Sequence, residues 1–285
     1  YSKCLEQQNY QVTVITAHPH QHAPVPKDYR NKLVKTEKMG GLNLIRVWIP
    51  SLLHSSVKNS AISNFSFLIS SLFPILFVKP KPDVIFAFEP NLFSIIPAYF
   101  YSKLRGGIVI RVVDDIWPES LYEQGILKSN FLKKLLTRLA KFSYTYPKHV
   151  FPLNNEVKEI INKSYGISND KIDVISHGID EETFTFNNKE RQKVFTLMYS
   201  GSLTNSYDFD IILDAAKKLK NKKIKFIIRG KEKLLSYLCE QKEKFQIDNL
   251  LIDSNFVPIE KLSSTLSRSD VLLVPMGKGP SLNTS

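Results

Sequence analysis

Residues 83–113 read DVIFAFEPNLFSIIPAYFYSKLRGGIVIRVV. The two ends of this stretch, Asp83–Phe88 and Ile108–Val113, are apolar runs of strand length, and Asn91–Leu104 between them has helical apolar spacing. Strands that lack an in-out alternation are typically buried on both faces of a sheet. A strand, a helix and a second strand in this order predict a right-handed crossover between parallel strands.

The same alternation continues on both sides of this segment and is interrupted only by the polar stretch His177–Glu190. Before the interruption, strands are predicted at Gln11–Thr16, Leu44–Ile49, His149–Leu153 and Ile172–Ile175, and helices at Ala61–Phe77, Ser129–Tyr146 and Asn154–Ser164. After it, strands are predicted at Phe195–Tyr199, Lys225–Ile228, Leu250–Asp253 and Val271–Val274, and helices at Asp208–Leu219, Glu232–Lys244 and Glu260–Ser267.

The predicted fold class is therefore α/β, with two doubly wound parallel-sheet (Rossmann-like) domains that face a central cleft. The first domain covers residues 1–180 and lacks its first strand, residues 181–193 form a linker, and residues 194–285 form a truncated second domain. Because the chain begins at Tyr1 and ends at Ser285 just after a strand, we expect an internal piece of a longer protein.

The amino-acid composition indicates the kind of protein and the kinds of binding partner to expect. The 285 residues carry 39 Lys and Arg against 27 Asp and Glu, a net charge of +12 that favours phosphate-bearing partners. The apolar and charged fractions, 43% and 23%, are those of a globular protein. No apolar run reaches the roughly 18 residues of a membrane span. Free thiols at Cys4 and Cys239 indicate a reducing, cytoplasmic compartment.

A cluster of lysines and a cluster of histidines do not predict a nucleic-acid or metal site. The lysines of residues 217–225 come without stacking aromatic residues or a nucleic-acid-binding motif, so we predict no nucleic-acid partner. His18, His20 and His22 alternate, but neighbouring prolines favour an irregular loop, and we predict no metal site. His18 ends a predicted strand and is a candidate for contact with a substrate in the cleft.

The segments that follow the strands hold the remaining candidates, because ligands of open parallel sheets bind at the strands' carboxyl ends. Asp114-Asp115-Ile116-Trp117-Pro118-Glu119 follows a strand and indicates either proton handling and substrate binding or an N-cap with an acidic first helical turn. Gly201-Ser202 follows another strand, and either approaches a phosphate or forms a plain turn.

Arg229-Gly230-Lys231 follows the next strand and pairs a guanidinium fork with an ammonium group, which suits a phosphate clamp as well as a solvated turn. Lys278 lies in a glycine-rich loop after the last strand, where it would pair with phosphate or belong to a flexible end.

Several stretches together resemble a bacterial glycosyltransferase of the GT-B fold, family 4 type. They are, in order, NYQVTVIT at residues 9–16, PDVI at 82–85, DIWPES at 115–120, KIDVISHGID at 171–180, SG at 200–201, ILDAA at 212–216 and SDVLLVP at 269–275. The resemblance covers nearly the whole chain. It implies transfer of a sugar from a nucleotide-diphosphate sugar, with retention of anomeric configuration and with neither a metal nor a cofactor.

The resemblance also implies roles for residues. The donor would be bound by Gly201, Ser202, Arg229, Gly230, Lys231, Val257 and Lys278; the acceptor by Asp115, Trp117 and His18; and Asp114 and Glu119 would be catalytic. Asp114 stands where many members of the family carry a histidine that touches the transferred sugar. The first domain would bind the acceptor and the second the donor.

The chain also departs from the family. Ser202, Thr204 and Asn205 occupy places where the family has basic residues. The family's paired glutamates spaced eight apart are not seen, because Met276-Gly277-Lys278 stand at the place of the first and the second would lie beyond Ser285. We therefore expect this piece to be inactive by itself. A nucleotide-sugar epimerase of the same fold and a non-catalytic nucleotide-sugar-binding relative remain alternatives.

A lipid-linked glycan is the predicted acceptor, within bacterial cell-surface polysaccharide biosynthesis. The predicted helix Ser129–Tyr146 places five apolar residues on one face and basic residues beside them, which suits a peripheral position on an anionic inner membrane face as well as an ordinary sheet-covering helix. The oligomeric state is not predicted.

Overall fold

The structure is a computed structural model that describes residues 1–19, 26–29, 32–50, 57–89, 91–118, 122, 129–185, 194–205, 207–231 and 234–276. The chain divides into two compact units, of which the first is Tyr1–Ser176 and the second begins at His177. Both units combine parallel strands with helices, which confirms the predicted mixed α/β class.

The described part of the first unit contains two three-stranded sheets. The first has the order β1-β3-β2, with β1 at Thr13–Ala17, β2 at Val34–Met39 and β3 at Leu42–Val47; the second has the order β4-β5-β6, with β4 at Val84–Phe88, β5 at Ile108–Val113 and β6 at His149–Pro152. The helices are α1 (Ser2–Gln7), α2 (Val57–Leu72), α3 (Ile95–Arg105), α4 (Asn130–Thr145) and α5 (Asn155–Tyr165), with 3-10 turns at Lys27–Tyr29, Phe73–Leu76, Leu92–Ser94 and Asn169–Lys171.

The second sheet explains why the opening stretch folds as predicted. All its strands are parallel, and β5 is buried from Val109 to Val113 because it lies between two neighbours. Val113 and Val150 pack with Tyr144 of α4 and Ile161 of α5, each fully buried or nearly so. Helix α5 begins at the N-cap Asn154, whose side chain accepts from the backbone N–H of Val157 at 2.8 Å.

Two features of the first unit differ from the sequence prediction. Strand β2 pairs antiparallel with β3 through a turn in which Gly40 has a φ of 61°, a conformation that glycine adopts without strain. The predicted strand Ile172–Ile175 is wrong as a strand: it is an extended segment joined to β6 by a bridge at Ile172 and by backbone bonds from Asp173 and Ile175.

The second unit has one four-stranded sheet among its described residues, with the order β10-β7-β8-β9 and every pairing parallel. Its strands are β7 (Phe195–Ser200), β8 (Ile224–Arg229), β9 (Leu250–Asp253) and β10 (Val271–Leu272), and its helices are α6 (Phe209–Lys218), α7 (Leu235–Lys244) and α8 (Ile259–Leu266). Phe226 and Ile228 of β8 pack with Leu213 of α6 and Leu238 of α7 in its core. Each element lies where the sequence predicts it, although β10 is two residues shorter.

Candidate functional site

The carboxyl edge of the second unit's sheet brings together several predicted donor-site residues. Ser200 is the register partner of Arg229, and Arg229 is the register partner of Asp253. The parallel pairing therefore places the last residues of β7, β8 and β9 in one row. Gly201 and Ser202 follow β7 at this edge, and Gly230 and Lys231 follow β8.

Backbone hydrogen bonds join the two loops beyond this row. The N–H of Gly201 donates to the carbonyl of Arg229 at 3.0 Å, and the N–H of Leu203 donates to the carbonyl of Lys231 at 2.9 Å. A Cβ atom at Gly230 would lie 2.0 Å from the carbonyl oxygen of Gly201 and 3.0 Å from Leu203 Cγ. Glycine is therefore required at position 230 for the two loops to approach this closely.

These backbone hydrogen bonds limit which groups of the two loops could bind a phosphate. The N–H groups of Gly201, Leu203 and Gly230 already donate to carbonyls of the neighbouring segments, Gly230 to Asp253 at 3.0 Å. They are not available as anion donors in this conformation. The groups that remain for an anion are the side chains of Arg229 and Lys231 and the exposed segment at Ser202.

Arg229 is paired with a residue that the sequence analysis did not assign. Its Nη2 atom donates to Oδ2 of Asp253, and the two side chains are 17% and 16% exposed. The other oxygen of Asp253 accepts from the backbone N–H of Asn255 at 2.9 Å and from its Nδ2 at 2.8 Å. The Asn255 backbone bond, together with Arg229, lowers the pKa of Asp253, which keeps this carboxylate ionised.

The two remaining donor candidates are Val257 and Lys278. Val257 lies half-buried in the segment after β9, the strand adjacent to β8, and Phe256 beside it is 81% exposed. Lys278 lies outside the described residues, so its assignment stays a prediction.

In the first unit, the acidic candidates follow β5 at the carboxyl edge of the second sheet. Asp114 and Trp117 are half-buried and Asp115 is exposed, and Asp115 Oδ1 accepts from the backbone N–H of Ile116 at 2.8 Å. The charge of Asp114 contributes, after burial, to a raised pKa of Tyr1. Glu119 lies outside the described residues.

A buried charge network joins Arg111, which lies inside β5, to Glu89, which directly follows β4. Arg111 of β5 donates through Nη2 to Glu89 Oε1 at 2.6 Å and through Nη1 to Ser94 Oγ at 2.6 Å, and both ionic side chains are 0% exposed. Tyr144 Oη donates to the same glutamate oxygen at 3.3 Å. The second oxygen, Oε2, has no hydrogen-bond partner among the described residues.

Glu89 is a residue of functional interest that the sequence analysis missed. Burial raises its pKa to about 7, although Arg111 and Tyr144 oppose the shift, and the charge of Asp115 raises it further. The pKa of Asp115 is raised as well, because nearby protein atoms remove part of the water around its carboxylate although the residue is exposed. Two electrostatically coupled carboxyl groups with raised pKa values therefore follow adjacent strands, an arrangement typical of proton-handling sites.

His18 lies elsewhere in the first unit. It follows β1, its backbone N–H donates to the Val47 carbonyl at 3.0 Å, and its ring packs on Tyr29 at 5.3 Å. The side chain is buried, and this burial lowers its pKa, so the imidazole is neutral at pH 7. Its assignment to the acceptor stays a prediction. Among the described residues there is no group of three His, Cys, Asp or Glu side chains that could hold a metal ion.

Two family models together match residues 1–280 of the chain. The model described as Glycosyltransferase Family 4 matches residues 1–183, and the model described as Glycosyl transferases group 1 matches residues 180–280. A search of curated protein sequences finds no match. The chain belongs to glycosyltransferase family 4.

Solved structures establish the fold. The chain is similar to sucrose-phosphate synthase from Thermosynechococcus elongatus, with a TM-score of 0.72 and 11% identity over 98% of this chain and 69% of that one. It is also similar to a glycosyltransferase from Rickettsia africae ESF-5, with a TM-score of 0.57 and 17% identity over 95% and 66%. A third is Anabaena Alr3699/HepE in complex with UDP and glucose, with a TM-score of 0.52 and 12% identity over 72% and 55%. The predicted GT-B fold is confirmed, and the chain spans about two thirds or less of the latter two structures.

The close contact at Gly230 predicts a loss of stability in the second unit. Replacement by alanine places a methyl group against the Gly201 carbonyl and forces the two loops apart, at a cost of about 2 kcal/mol or more in the free energy of unfolding. Differential scanning calorimetry should show a clearly lower Tm. Gly178→Ala is the control because nothing lies within 4 Å of its added methyl group. Equal Tm values for the two variants would contradict the contact.

The buried carboxyl of Glu89 predicts a pH dependence of stability. Its folded pKa of about 7 lies above the reference value of 4.5, so the folded chain holds the proton more tightly than the unfolded chain. The stability that Glu89 contributes is therefore full below pH 4.5 and is lost as the pH rises through about 7.

Glu89→Gln should remove this dependence. We expect the unfolding free energy of the wild type minus that of Glu89→Gln to fall as the pH rises through this window. Urea titrations can follow the fluorescence of Trp48 and Trp117, which both lie in the first unit. The exposed Glu159 has a lowered pKa, so Glu159→Gln should give a flat difference over the same window. A flat difference for Glu89→Gln as well would refute the raised pKa.

Proposed function

We propose that this protein transfers a sugar from a nucleoside-diphosphate sugar to an acceptor, and that the donor binds at the carboxyl edge of β7 and β8. The observation that carries the proposal is the pair of joined loops, with Gly230 packed on the Gly201 carbonyl and with Arg229 and Lys231 on either side of that glycine. The similar protein HepE is in complex with UDP and glucose, which supports a nucleotide sugar as the donor.

The chemistry of the donor explains why cations are needed there. Breaking the bond between the sugar and the diphosphate leaves negative charge on the departing phosphate and positive charge on the sugar. Arg229 and Lys231 would stabilise the departing phosphate, because fixed cations aimed at developing charge lower the barrier without reorganising. We propose that the reaction retains the anomeric configuration and needs no metal or cofactor.

The acceptor is assigned to the first unit. Asp114 and Glu119 would orient the attacking hydroxyl group or support the cationic sugar, and Asp115, Trp117 and His18 would contact the acceptor. The position of Asp114 and Asp115 directly after β5 supports this assignment, because ligands of parallel sheets bind at the strands' carboxyl ends.

A lipid-linked glycan at an anionic membrane face is the acceptor that we propose, within bacterial cell-surface polysaccharide synthesis on the cytoplasmic side. Helix α4 supports this. Leu136 and Leu139 pack on the core, whereas Phe131, Leu132 and Leu135 are 76%, 43% and 52% exposed. Lys134, Arg138 and Lys141 are exposed at helical spacing along the adjacent side of the helix. No helix among the described residues meets the length and hydrophobicity of a membrane span.

The donor assignment predicts the effect of Arg229→Ala. Because the change removes a cation from the departing phosphate, we expect donor turnover by the full-length enzyme to fall by about 10³-fold. Release of the nucleoside diphosphate from the sugar nucleotide measures this turnover. Lys225→Ala, an exposed change on the same strand, should leave it within about twofold. Equal turnover by the two variants would remove Arg229 from the site, and conversion of the free donor without acceptor would indicate an epimerase.

The membrane assignment predicts that Leu135→Glu weakens vesicle binding. We expect the wild type to float with vesicles rich in phosphatidylglycerol at low salt, and the variant to lose at least about tenfold in bound fraction, because a carboxylate replaces an inserting side chain beside the basic residues. Ile211→Glu in α6 is the matched control, since Ile211 is 54% exposed. A wild-type protein that stays entirely in the unbound fraction would contradict the assignment.

A further inference from the structure

Asp253 ends β9 next to the end of β8, and its side chain faces that of Arg229. The two residues are register partners in a parallel pair, and the N–H of Gly230 donates to the Asp253 carbonyl at 3.0 Å. Side chains of register partners leave the sheet on the same face, so the carboxylate and the guanidinium meet there without a loop rearrangement. Both side chains are mostly buried, yet each keeps contact with solvent.

The hydrogen bond to Asp253 fixes the guanidinium of Arg229 but uses only one of its N–H donors. Among the described residues, the hydrogen bond found for the Arg229 side chain is the one from Nη2 to Asp253, and Nε is buried without a partner. A guanidinium group has five N–H donors, four of them on the two terminal nitrogens, so Asp253 leaves other terminal N–H groups for an incoming anion. Asp253 is itself held in place, because Asn255 binds its other oxygen twice.

We propose that Asp253 is a positioning residue, which holds the Arg229 guanidinium at the sheet edge so that its remaining N–H groups bind the diphosphate of the donor. This inference rests on the proposed donor site. It predicts an effect opposite in sign to that of simple electrostatics. A carboxylate beside a phosphate site repels the ligand, so its neutralisation would tighten binding if Asp253 acted through its charge alone.

Asp253→Asn is the informative change because it nearly preserves shape. Arg229 and Asn255 bind different oxygens of Asp253, and an asparagine has an NH2 group, which cannot accept, in place of one of them, so one of the two contacts is lost. We expect the affinity for the nucleoside diphosphate to fall about tenfold, although the site becomes more positive. Isothermal titration of the full 285-residue chain with UDP, GDP and ADP in turn gives the Kd, and the nucleotide that the wild type binds most tightly is used for the variants.

The controls separate positioning from charge and from folding. Asp248→Asn removes an exposed carboxylate from the same unit and should change the Kd by less than about twofold. Asp253→Glu keeps the charge and should recover part of the lost affinity. In an Arg229→Gln background, Asp253→Asn should have almost no further effect, because the residue acts through the arginine. A merely structural role would weaken binding equally in both backgrounds.

The possible outcomes distinguish a failure of the positioning role of Asp253 from a failure of the proposed donor site. If the wild type binds none of the three nucleotides, the donor site itself is wrong and the inference falls with it. If the wild type binds a nucleotide and Asp253→Asn binds it as tightly or more tightly, Asp253 weakens binding through its charge or by competing with the ligand for Arg229. Only the positioning role is then refuted. Weaker binding that disappears in the Arg229→Gln background supports the inference.

Discussion

The parallel register of β7, β8 and β9 is the constraint on which the candidate donor site depends. It aligns Ser200, Arg229 and Asp253 in one row at the carboxyl edge of the sheet. Side chains alternate between the faces of a strand, so a slip of one residue in β8 would turn Arg229 away from Asp253. The contact of Gly230 with the Gly201 carbonyl adds a second constraint, because the loops beyond the row are joined through backbone atoms.

Most of the strands and helices could be predicted because their buried faces must consist of apolar residues. A strand such as β5, covered on both sides, must be apolar over its whole length, and this pattern is visible in the sequence alone. Strand β2 was missed for the converse reason. It lies at the edge of its sheet and reads VKTEKM, and charged residues are typical of edge strands. A search for apolar runs cannot find such a strand.

The site could be predicted only in part, because its ion pairs join residues that are distant in sequence. Arg229 was identified from its place after an apolar run, but its partner Asp253 lies 24 residues away, where the sequence gives no sign of the pairing. Glu89 is separated from Arg111 by 22 residues. One signal was present: Arg111 interrupts the apolar run IVIRVV, and a charged residue in a buried strand requires a partner of opposite charge.

The two arginine–carboxylate pairs of this chain resemble each other chemically but differ in what they can do. Arg111 and Glu89 are both 0% exposed, and the guanidinium of Arg111 binds Glu89 and Ser94 inside the protein, so a ligand could reach Arg111 only if the core opened. Arg229 and Asp253 are 17% and 16% exposed at a sheet edge, where an anion can approach without disturbing the core. Position along the strand decides this difference. Arg111 is the fourth residue of the six-residue β5 and Arg229 is the last residue of β8, so only the second arginine lies where parallel sheets bind ligands.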